Sequence, residues 1–224
     1  MIGVMRNDID RATLRRRLRV YVVTSSGLVA GRGHLDVARA ALEGGATAVQ
    51  LRAPDLGPGE LLPLASSLAE LCRSRGVLFV VNDVVDVAVR SGADGVHLGQ
   101  GDDLGGARGR LGPARVLGIS VETPSQARRA EELGADYVAV TVWSTPTKRE
   151  AVPIGLDGLR KVATGTALPV VAIGGIDASN ARQALEAGAA GVAVVSSVGA
   201  APNPISATKK MVAMVRAFER KGPT

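Results

Sequence analysis

Short runs of branched apolar residues alternate with amphipathic segments along most of this chain. Val20–Thr24 and Val170–Ile173 are continuously apolar or nearly so, which is typical of strands buried on both faces of a parallel sheet. Glu60–Arg75 instead places its leucines and Cys72 at intervals of three and four residues, the spacing of one helix face. The hydrophobic pattern therefore predicts strands and helices in regular alternation.

Eight such strand–helix units follow one another, and a glycine phrase recurs between a helix and the next strand, as in Gly44–Ala46 and Gly134–Asp136. Glycine at this place commonly ends a helix at the αβ turn. The alternation favours an α/β fold that is a single (β/α)₈ TIM barrel over a doubly wound sheet. We expect residues 1–18 to form a short N-terminal helical extension and residues 19–221 the TIM-barrel catalytic domain. The predicted strands are Val20–Thr24, Thr47–Leu51, Val77–Val81, Asp94–Leu98, Arg115–Ile119, Tyr137–Val142, Val170–Ile173 and Gly191–Val195.

The composition also indicates the size of the domain and the cellular location of the protein. The chain has 224 residues, a length that one such barrel fills, and it is 46% hydrophobic but only 2% aromatic, so the core is aliphatic. No apolar run is long enough to span a membrane, and the start lacks the pattern of a secretory signal. The single cysteine, Cys72, excludes an internal disulfide. We expect a cytoplasmic protein without a membrane partner.

The net charge of +6 is concentrated near the start of the chain. Residues 6–19 contain six arginines and two aspartates, and the remainder is nearly balanced. Basic and aromatic residues are not interleaved, so we expect no nucleic-acid partner. The positive potential is better suited to attracting a small anionic substrate. The sequence is compatible with a homo-oligomer.

Polar residues follow almost every predicted strand of this aliphatic chain. In a TIM barrel the carboxyl ends of the strands surround the active site, so these residues are the candidates for its chemistry. They are Thr24, Gln50, Arg52, Asn82, Asp83, His97, Gln100, Asp102, Ser120, Thr145, Thr147, Lys148, Gly174, Gly175, Ser196 and Ser197.

Asp83 and Asp102 follow neighbouring strands. Two converging carboxylates with few other protein ligands suit Mg²⁺, which keeps waters and takes further ligands from phosphates. Each aspartate also precedes a predicted helix, so an N-cap is the alternative for either one. Considered together, beside Arg52 and Lys148, they favour a metal site.

The predicted site has two anion zones: the glycine turn after the seventh strand with the end of the eighth, and Arg52, Asp83 and Asp102 with a metal. Gly174–Gly175 and Ser196–Ser197 end adjacent strands and predict a cup for a phosphate. Lys148, with Thr145 and Thr147, forms a cationic, hydroxyl-rich loop suited to a phosphate or diphosphate. The pattern suggests two phosphorylated substrates, or one that is phosphorylated at both ends.

No strong general base is evident. His97 either points into the barrel or is a packed, hydrogen-bonded histidine, and His34, which begins a helix, is expected at the surface or as a cap. No Ser-His-Asp set, zinc spacing or Cys-His pair can be assembled from the sequence. A metal with cations and no base fits a reaction in which a diphosphate leaves and the enzyme stabilises its charge.

Six motifs, in this order, resemble the thiamine-phosphate synthase family and together span most of the predicted barrel. They are VQLR at Val49–Arg52, VND at Val81–Asp83, GADGVHLGQ at Gly92–Gln100, STPTK at Ser144–Lys148, AIGGI at Ala172–Ile176 and GVAVVSS at Gly191–Ser197. The resemblance implies a transferase of thiamine biosynthesis that condenses hydroxymethylpyrimidine diphosphate with a (carboxy)hydroxyethylthiazole phosphate. The products are thiamine phosphate and diphosphate.

The resemblance also assigns residues. It implies one Mg²⁺ per subunit on Asp83 and Asp102, and catalytic roles for Lys148, Arg52 and Ser120. The implied contacts to pyrimidine diphosphate are Gln50, Arg52, Asn82, Ser120 and Lys148. The implied contacts to thiazole phosphate are Thr145, Thr147, Gly175, Val195 and Ser196.

The chain departs from the family pattern after its second strand. Ala53–Pro54 stands where the family usually has glutamate and lysine, so a diphosphate-binding lysine is missing, and the loop after Tyr137–Val142 also differs. A thiazole tautomerase, which isomerises the thiazole phosphate without metal, is one alternative. A non-enzymatic sensor of a phosphorylated ligand is another.

Overall fold

Eight parallel strands form a closed barrel in a computed structural model that describes residues 10–144 and 151–221. Consecutive strands are neighbours, and β8 pairs with β1 through Val20 and Val192 to close the ring. The strands are β1 Val20–Thr24, β2 Ala48–Leu51, β3 Leu78–Asn82, β4 Gly95–Leu98, β5 Val116–Ser120, β6 Tyr137–Thr141, β7 Val170–Ile173 and β8 Gly191–Val194.

Helices follow the strands and cover the outside of the barrel. They are α1 Arg11–Arg17, α2 His34–Glu43, α3 Pro58–Arg73, α4 Val85–Ser91, α5 Leu104–Leu111, α6 Pro124–Glu132, α7 Gly155–Thr164, α8 Ala181–Glu186, α9 Ser196–Gly199 and α10 Pro204–Lys221. The predicted TIM barrel with a helix ahead of it is confirmed. The short helix α9 was not expected from the sequence, and the division at residues 18 and 19 stays a prediction. No helix within residues 10–144 and 151–221 is long and apolar enough to cross a membrane.

The core has two layers because side chains alternate across each strand. Inward-facing residues such as Tyr21, Val80 and Tyr137 fill the barrel, whereas their neighbours along the strands, such as Val22 and Val138, pack against the surrounding helices. Cys72 of α3 lies fully buried in this outer layer, as its place on the apolar stripe predicts.

Helix α1 closes the amino-terminal end of the barrel. Its Leu14 and the following Leu18 are buried and join the inner cluster of apolar side chains. A Cβ on Gly191 would overlap the Leu18 carbonyl. Glycine at the start of β8 therefore allows the chain at Leu18 to pack against that strand. With one end filled by leucines, a ligand cavity is restricted to the other end.

Candidate active site

A cavity of about 350 Å³ opens at the carboxyl ends of the strands. Its position is the one that the TIM-barrel prediction requires. The predicted site residues that line it are Gln50, Arg52, Asn82, Ser120, Gly175, Val195 and Ser196. They come from β2, β3, β5, the turn after β7 and the end of β8, so the fold brings together residues that lie far apart in sequence.

Other predicted residues are not among those that line the cavity, or lie outside the described part of the chain. Asp83 and Asp102 do not line it, and both carboxylates approach Gly99, the residue after β4. Thr145, Thr147 and Lys148 lie outside the described residues. Their assignments to the thiazole phosphate and the diphosphate stay predictions.

The carboxylates of Asp83 and Asp102 converge on one point. A Cβ placed on Gly99 would lie 3.2 Å from Asp102 Oδ2 and 4.0 Å from Asp83 Oδ1. The Gly99 amide donates to Asp102 Oδ2 at 2.7 Å and fixes that side chain. Because residue 99 is glycine, it places no side chain of its own beside the two carboxylates.

The helix-cap alternative for these two aspartates is wrong. Helix α4 has Val84 as its N-cap, and helix α5 has Asp103, whose Oδ1 accepts from the Gly106 amide at 2.9 Å. Asp83 also has φ of 63°, the only positive φ of a non-glycine residue among the described residues. Backbone strain of this kind, which Asp tolerates better than most residues, clusters at functional sites.

These two carboxylates fit a magnesium ion as a donor set. Both are hard oxygen ligands, and the described residues contain no group of three or more His, Cys, Asp or Glu side chains placed to hold a metal. Mg²⁺ is usually bound by one or two carboxylates, with waters and substrate phosphates completing its octahedron. A zinc-like cage of protein ligands is a different arrangement.

The Gly174–Gly175 turn approaches the chain after β6 very closely. Gly174 has φ of 86°, and a Cβ there would lie 2.6 Å from the Trp143 carbonyl oxygen. Gly175 has φ of 61°, and its Cβ would lie 3.0 Å from the Ser144 carbonyl oxygen. Both glycines line the cavity, so the turn brings backbone, rather than side chains, against a ligand.

Alanine at position 174 is therefore expected to destabilise the protein and to weaken binding of thiazole phosphate. The positive φ alone costs about 1–2 kcal/mol for a residue with a Cβ, and the contact with Trp143 adds to it. Chemical denaturation and calorimetry measure the two effects. Gly31→Ala is the matched control, because Gly31 also has positive φ (74°) but meets nothing within 4 Å. Equal stability losses in the two variants would contradict the close-approach argument.

Five buried or half-buried polar side chains form a continuous chain through the barrel. Gln50 Nε2 donates to Tyr21 Oη at 2.8 Å, and Tyr21 Oη lies 3.1 Å from Tyr137 Oη. Tyr137 Oη lies 2.9 Å from His97 Nδ1, and His97 Nε2 lies 3.1 Å from Ser120 Oγ. His97 therefore points inward and is hydrogen-bonded through both ring nitrogens. The chain links two predicted pyrimidine contacts, Gln50 and Ser120.

Sequence reasoning did not assign a role to the two tyrosines. A signal was available, because the chain has only two tyrosines and both lie at inward positions of predicted strands. Burial raises the pKa of Tyr21 and of Tyr137 above the usual value of a phenol, so both hydroxyls keep their protons.

His34 is not the surface or capping histidine that the sequence predicts. It is 8% exposed, and its Nδ1 lies 2.8 Å from Thr24 Oγ1 at the end of β1. The N-cap of α2 is Gly33. Burial lowers the pKa of His34, which favours the neutral ring.

The comparisons with known proteins show the family of this chain. A model of the thiamine monophosphate synthase family matches residues 20–198, which is most of the chain. The chain belongs to this family. It is 45% identical over 200 residues to a thiamine-phosphate synthase of Roseiflexus sp. RS-1, covering 88% of this chain and 84% of the relative. The Moorella thermoacetica enzyme of the same name is 44% identical, covering 86% of this chain and 93% of the relative.

Solved structures extend the agreement to the fold. Thiamine phosphate pyrophosphorylase from Pyrococcus furiosus superposes with a TM-score of 0.84 at 39% identity, covering 91% of this chain and 98% of that one. A 3-hexulose-6-phosphate synthase superposes with a TM-score of 0.67 at 16% identity, which shows the barrel fold alone. The identification as a thiamine-phosphate synthase, a transferase, is confirmed at the level of the family.

Proposed function

We propose that this chain condenses hydroxymethylpyrimidine diphosphate with the phosphate of a hydroxyethylthiazole, releasing diphosphate and forming thiamine phosphate. The observation that supports this most directly is the single cavity that Gln50, Arg52, Asn82, Ser120 and the Gly174–Gly175 turn line together. A tautomerase of the thiazole phosphate has no diphosphate to hold. The convergence of Asp83 and Asp102 favours the synthase over that alternative and over a sensor.

The pyrimidine diphosphate occupies the β2–β5 side of the cavity in this proposal. Gln50 and Ser120 contact the ring, and Asn82 and Arg52 lie toward the diphosphate. A guanidinium binds phosphate oxygens in a bidentate, charge-assisted geometry, which orients the leaving group as well as attracting it. Lys148, outside the described residues, is proposed as the second cation.

Asp83 and Asp102 are proposed to hold one Mg²⁺ at the rim beside this diphosphate. When bound, the ion neutralises charge that develops on the leaving diphosphate. Asp102 is held in place by the Gly99 amide, and Asp83 by its own backbone, whose amide donates to the His97 carbonyl at 2.8 Å. Asp83 is thus anchored through its backbone to β4, and the Asp102 side chain to the first residue after that strand.

The thiazole phosphate is proposed to lie on the β7–β8 side. The Gly174–Gly175 turn, Val195 and Ser196 line the cavity there, together with Ser197. Ser197 Oγ is buried and has no hydrogen-bond partner among residues 10–144 and 151–221, which is costly unless a ligand accepts its proton. Thr145 and Thr147 complete the proposed contacts.

The reaction breaks the bond between the pyrimidine methylene carbon and the diphosphate oxygen, and it forms a bond from that carbon to the thiazole nitrogen. The nitrogen attacks through its lone pair, so no proton is removed and no general base is required. The protein's tasks are to align the two rings and to stabilise the departing negative charge. A site rich in donors and cations fits those tasks.

Ala53 marks the departure from the family pattern in the structure. It is 7% exposed and packs in the outer core, and the next residue, Pro54, which stands where the family usually has its lysine, is exposed and carries no cation. Arg52, Lys148 and the metal are therefore proposed to carry the whole charge of the diphosphate. Cytoplasmic location, the absence of a nucleic-acid partner and the oligomeric state stay predictions.

One incubation tests the proposal. The purified protein with both substrates and Mg²⁺ is expected to release diphosphate and form thiamine phosphate in equal amounts, and omission of either substrate should abolish release. A chelator added in excess should stop the reaction, and Mg²⁺ should restore it. Isomerisation of the thiazole phosphate in chelator, with no diphosphate release, would establish the tautomerase instead.

A further inference from the structure

The floor of the cavity is a hydrogen-bonded chain that crosses the barrel interior. Its members are Gln50 of β2, Tyr21 of β1, Tyr137 of β6, His97 of β4 and Ser120 of β5. Gln50, Tyr21, His97 and Ser120 line the cavity, and Tyr137 lies beneath it, fully buried. Tyr137 therefore acts on a ligand only through its neighbours.

Each link of this chain has one proton to give and one acceptor to receive it. Gln50 Nε2 donates to Tyr21 Oη, and the hydroxyls of Tyr21 and Tyr137 are 3.1 Å apart, a pair in which either oxygen can be the donor. If Tyr21 donates to Tyr137, the Tyr137 hydroxyl donates to His97 Nδ1, and the ring proton of His97 then lies on Nε2. That proton is donated to Ser120 Oγ, and the Ser120 proton is left for a ligand.

The structure holds the central ring in place from several sides. Gly118 of β5 pairs with Tyr137 of β6, and a Cβ on Gly118 would overlap the tyrosine ring. The His97 and Tyr137 rings stack with centroids 5.4 Å apart and an interplanar angle of 30°. Because Gly118 has no side chain, the Tyr137 ring packs directly against it, and the stacked His97 ring holds it from another side. Tyr137 is therefore a rigid link of the hydrogen-bonded chain.

We propose that Tyr21, Tyr137 and His97 are positioning residues that give the cavity a fixed donor–acceptor polarity. Ser120 presents a hydroxyl proton at one end of the chain, and Gln50 presents its carboxamide oxygen at the other. A ring that carries an amino group and a ring nitrogen matches both ends, accepting from Ser120 and donating to Gln50. This inference rests on the proposed function, in which an aminopyrimidine diphosphate occupies this part of the cavity.

The polarity gives selectivity for the amino form of the ring. A pyrimidine with an oxo group in place of the amino group offers an acceptor to the Gln50 oxygen, and the pair is repulsive. A site built to hydrogen-bond a polar group of its substrate rejects, by large factors, an analogue that leaves the polar group of the site unpaired.

Nitrogen-15 NMR of the imidazole rings tests the direction of the chain. The protein has only two histidines, His34 and His97, so assignment is simple with a His34→Gln variant. We expect His97 as the Nε2–H tautomer in the free protein and with the pyrimidine diphosphate bound. The Nδ1–H tautomer in the complex would overturn the proposal, because Ser120 would then donate to His97 rather than to the ligand.

Tyr137→Phe tests the link itself. It keeps the ring in its packed site but removes the oxygen that joins Tyr21 to His97. We expect the KM for the pyrimidine diphosphate to rise about tenfold, the size of one net hydrogen bond, while the KM for the thiazole phosphate stays within about twofold. Tyr21→Phe, which breaks the chain one link earlier, should shift the same constant.

Thr208→Val is the matched control. It removes another fully buried hydroxyl, which donates to the Pro204 carbonyl in α10, away from the cavity. Its stability should fall as in Tyr137→Phe, but neither KM should change. Equal changes of both KM values in Tyr137→Phe, or none, would overturn the positioning role.

The two proposals fail in different ways. Wild-type protein that releases no diphosphate would overturn the proposed function, while the tautomer of His97, which needs no turnover, would still decide the direction of the chain. Active wild-type protein with an unchanged pyrimidine KM in Tyr137→Phe would overturn only the positioning role.

Discussion

Asp83→Asn is expected to lower the rate of coupling by about 10²–10³-fold, the loss that follows removal of one group that stabilises developing charge. Asparagine preserves the shape of the side chain and tolerates the φ of 63° that this position requires. The backbone hydrogen bond from residue 83 to the His97 carbonyl is kept. The negative charge of residue 83 is lost, so metal affinity should fall while the fold remains. Steady-state rates over a series of Mg²⁺ concentrations measure the effect.

Asp103→Asn is the matched control for this prediction. Asp103 follows Asp102 directly, but its carboxylate caps α5 through the Gly106 amide. Asparagine is an equally good cap, so both stability and rate should stay close to wild type. Wild-type turnover of Asp83→Asn at every Mg²⁺ concentration would refute the metal site.

Ser196→Glu is expected to abolish measurable binding of the thiazole phosphate, a loss of at least about 10²-fold. Ser196 begins α9 at the end of β8 and lines the cavity beside the glycine turn. A carboxylate there brings like charges together where a phosphate should sit, and such a juxtaposition costs several kcal/mol. The proposed place of the pyrimidine diphosphate is the opposite side of the cavity, so its affinity should be retained. Calorimetric titration with each substrate separately measures the two affinities.

Two controls separate charge from position. Ser196→Ala removes the hydroxyl without adding charge and should weaken thiazole phosphate binding by no more than about tenfold. Ser67→Glu adds the same charge on the exposed surface of α3 and should leave both affinities unchanged. Unaltered thiazole phosphate binding in Ser196→Glu would show that the phosphate lies elsewhere.

The order of elements was predictable because it depends on local properties of the chain. Apolar runs such as Val170–Ile173 and the helical spacing in α3 are visible within a dozen residues, and their alternation indicates a parallel barrel. Once the barrel is known, the strand ends identify where Gln50, Asn82 and Ser120 lie. The cavity confirms those positions, and the family match confirms the resemblance of the motifs.

The roles of single polar residues were less predictable, because they depend on contacts between distant strands. An aspartate before a helix has the same local sequence whether it caps that helix or faces another carboxylate. Asp103, not Asp102, caps α5, and only the folded loop shows that Asp102 turns back to the Gly99 amide. His34 was misjudged for the same reason, since its burial depends on Thr24 and the packing around β1.

The sequence alone determined the (β/α)₈ architecture, the end of the barrel where the cavity opens and several of the residues that line it. These follow from periodicity, strand order and short motifs, all of which are local. The tertiary structure decided which polar groups meet: Asp83 with Asp102 beside Gly99, and Tyr21 with Tyr137 across the barrel. Those meetings depend on strand register and on the absent side chains of Gly99 and Gly118, which only the packed barrel brings opposite their partners.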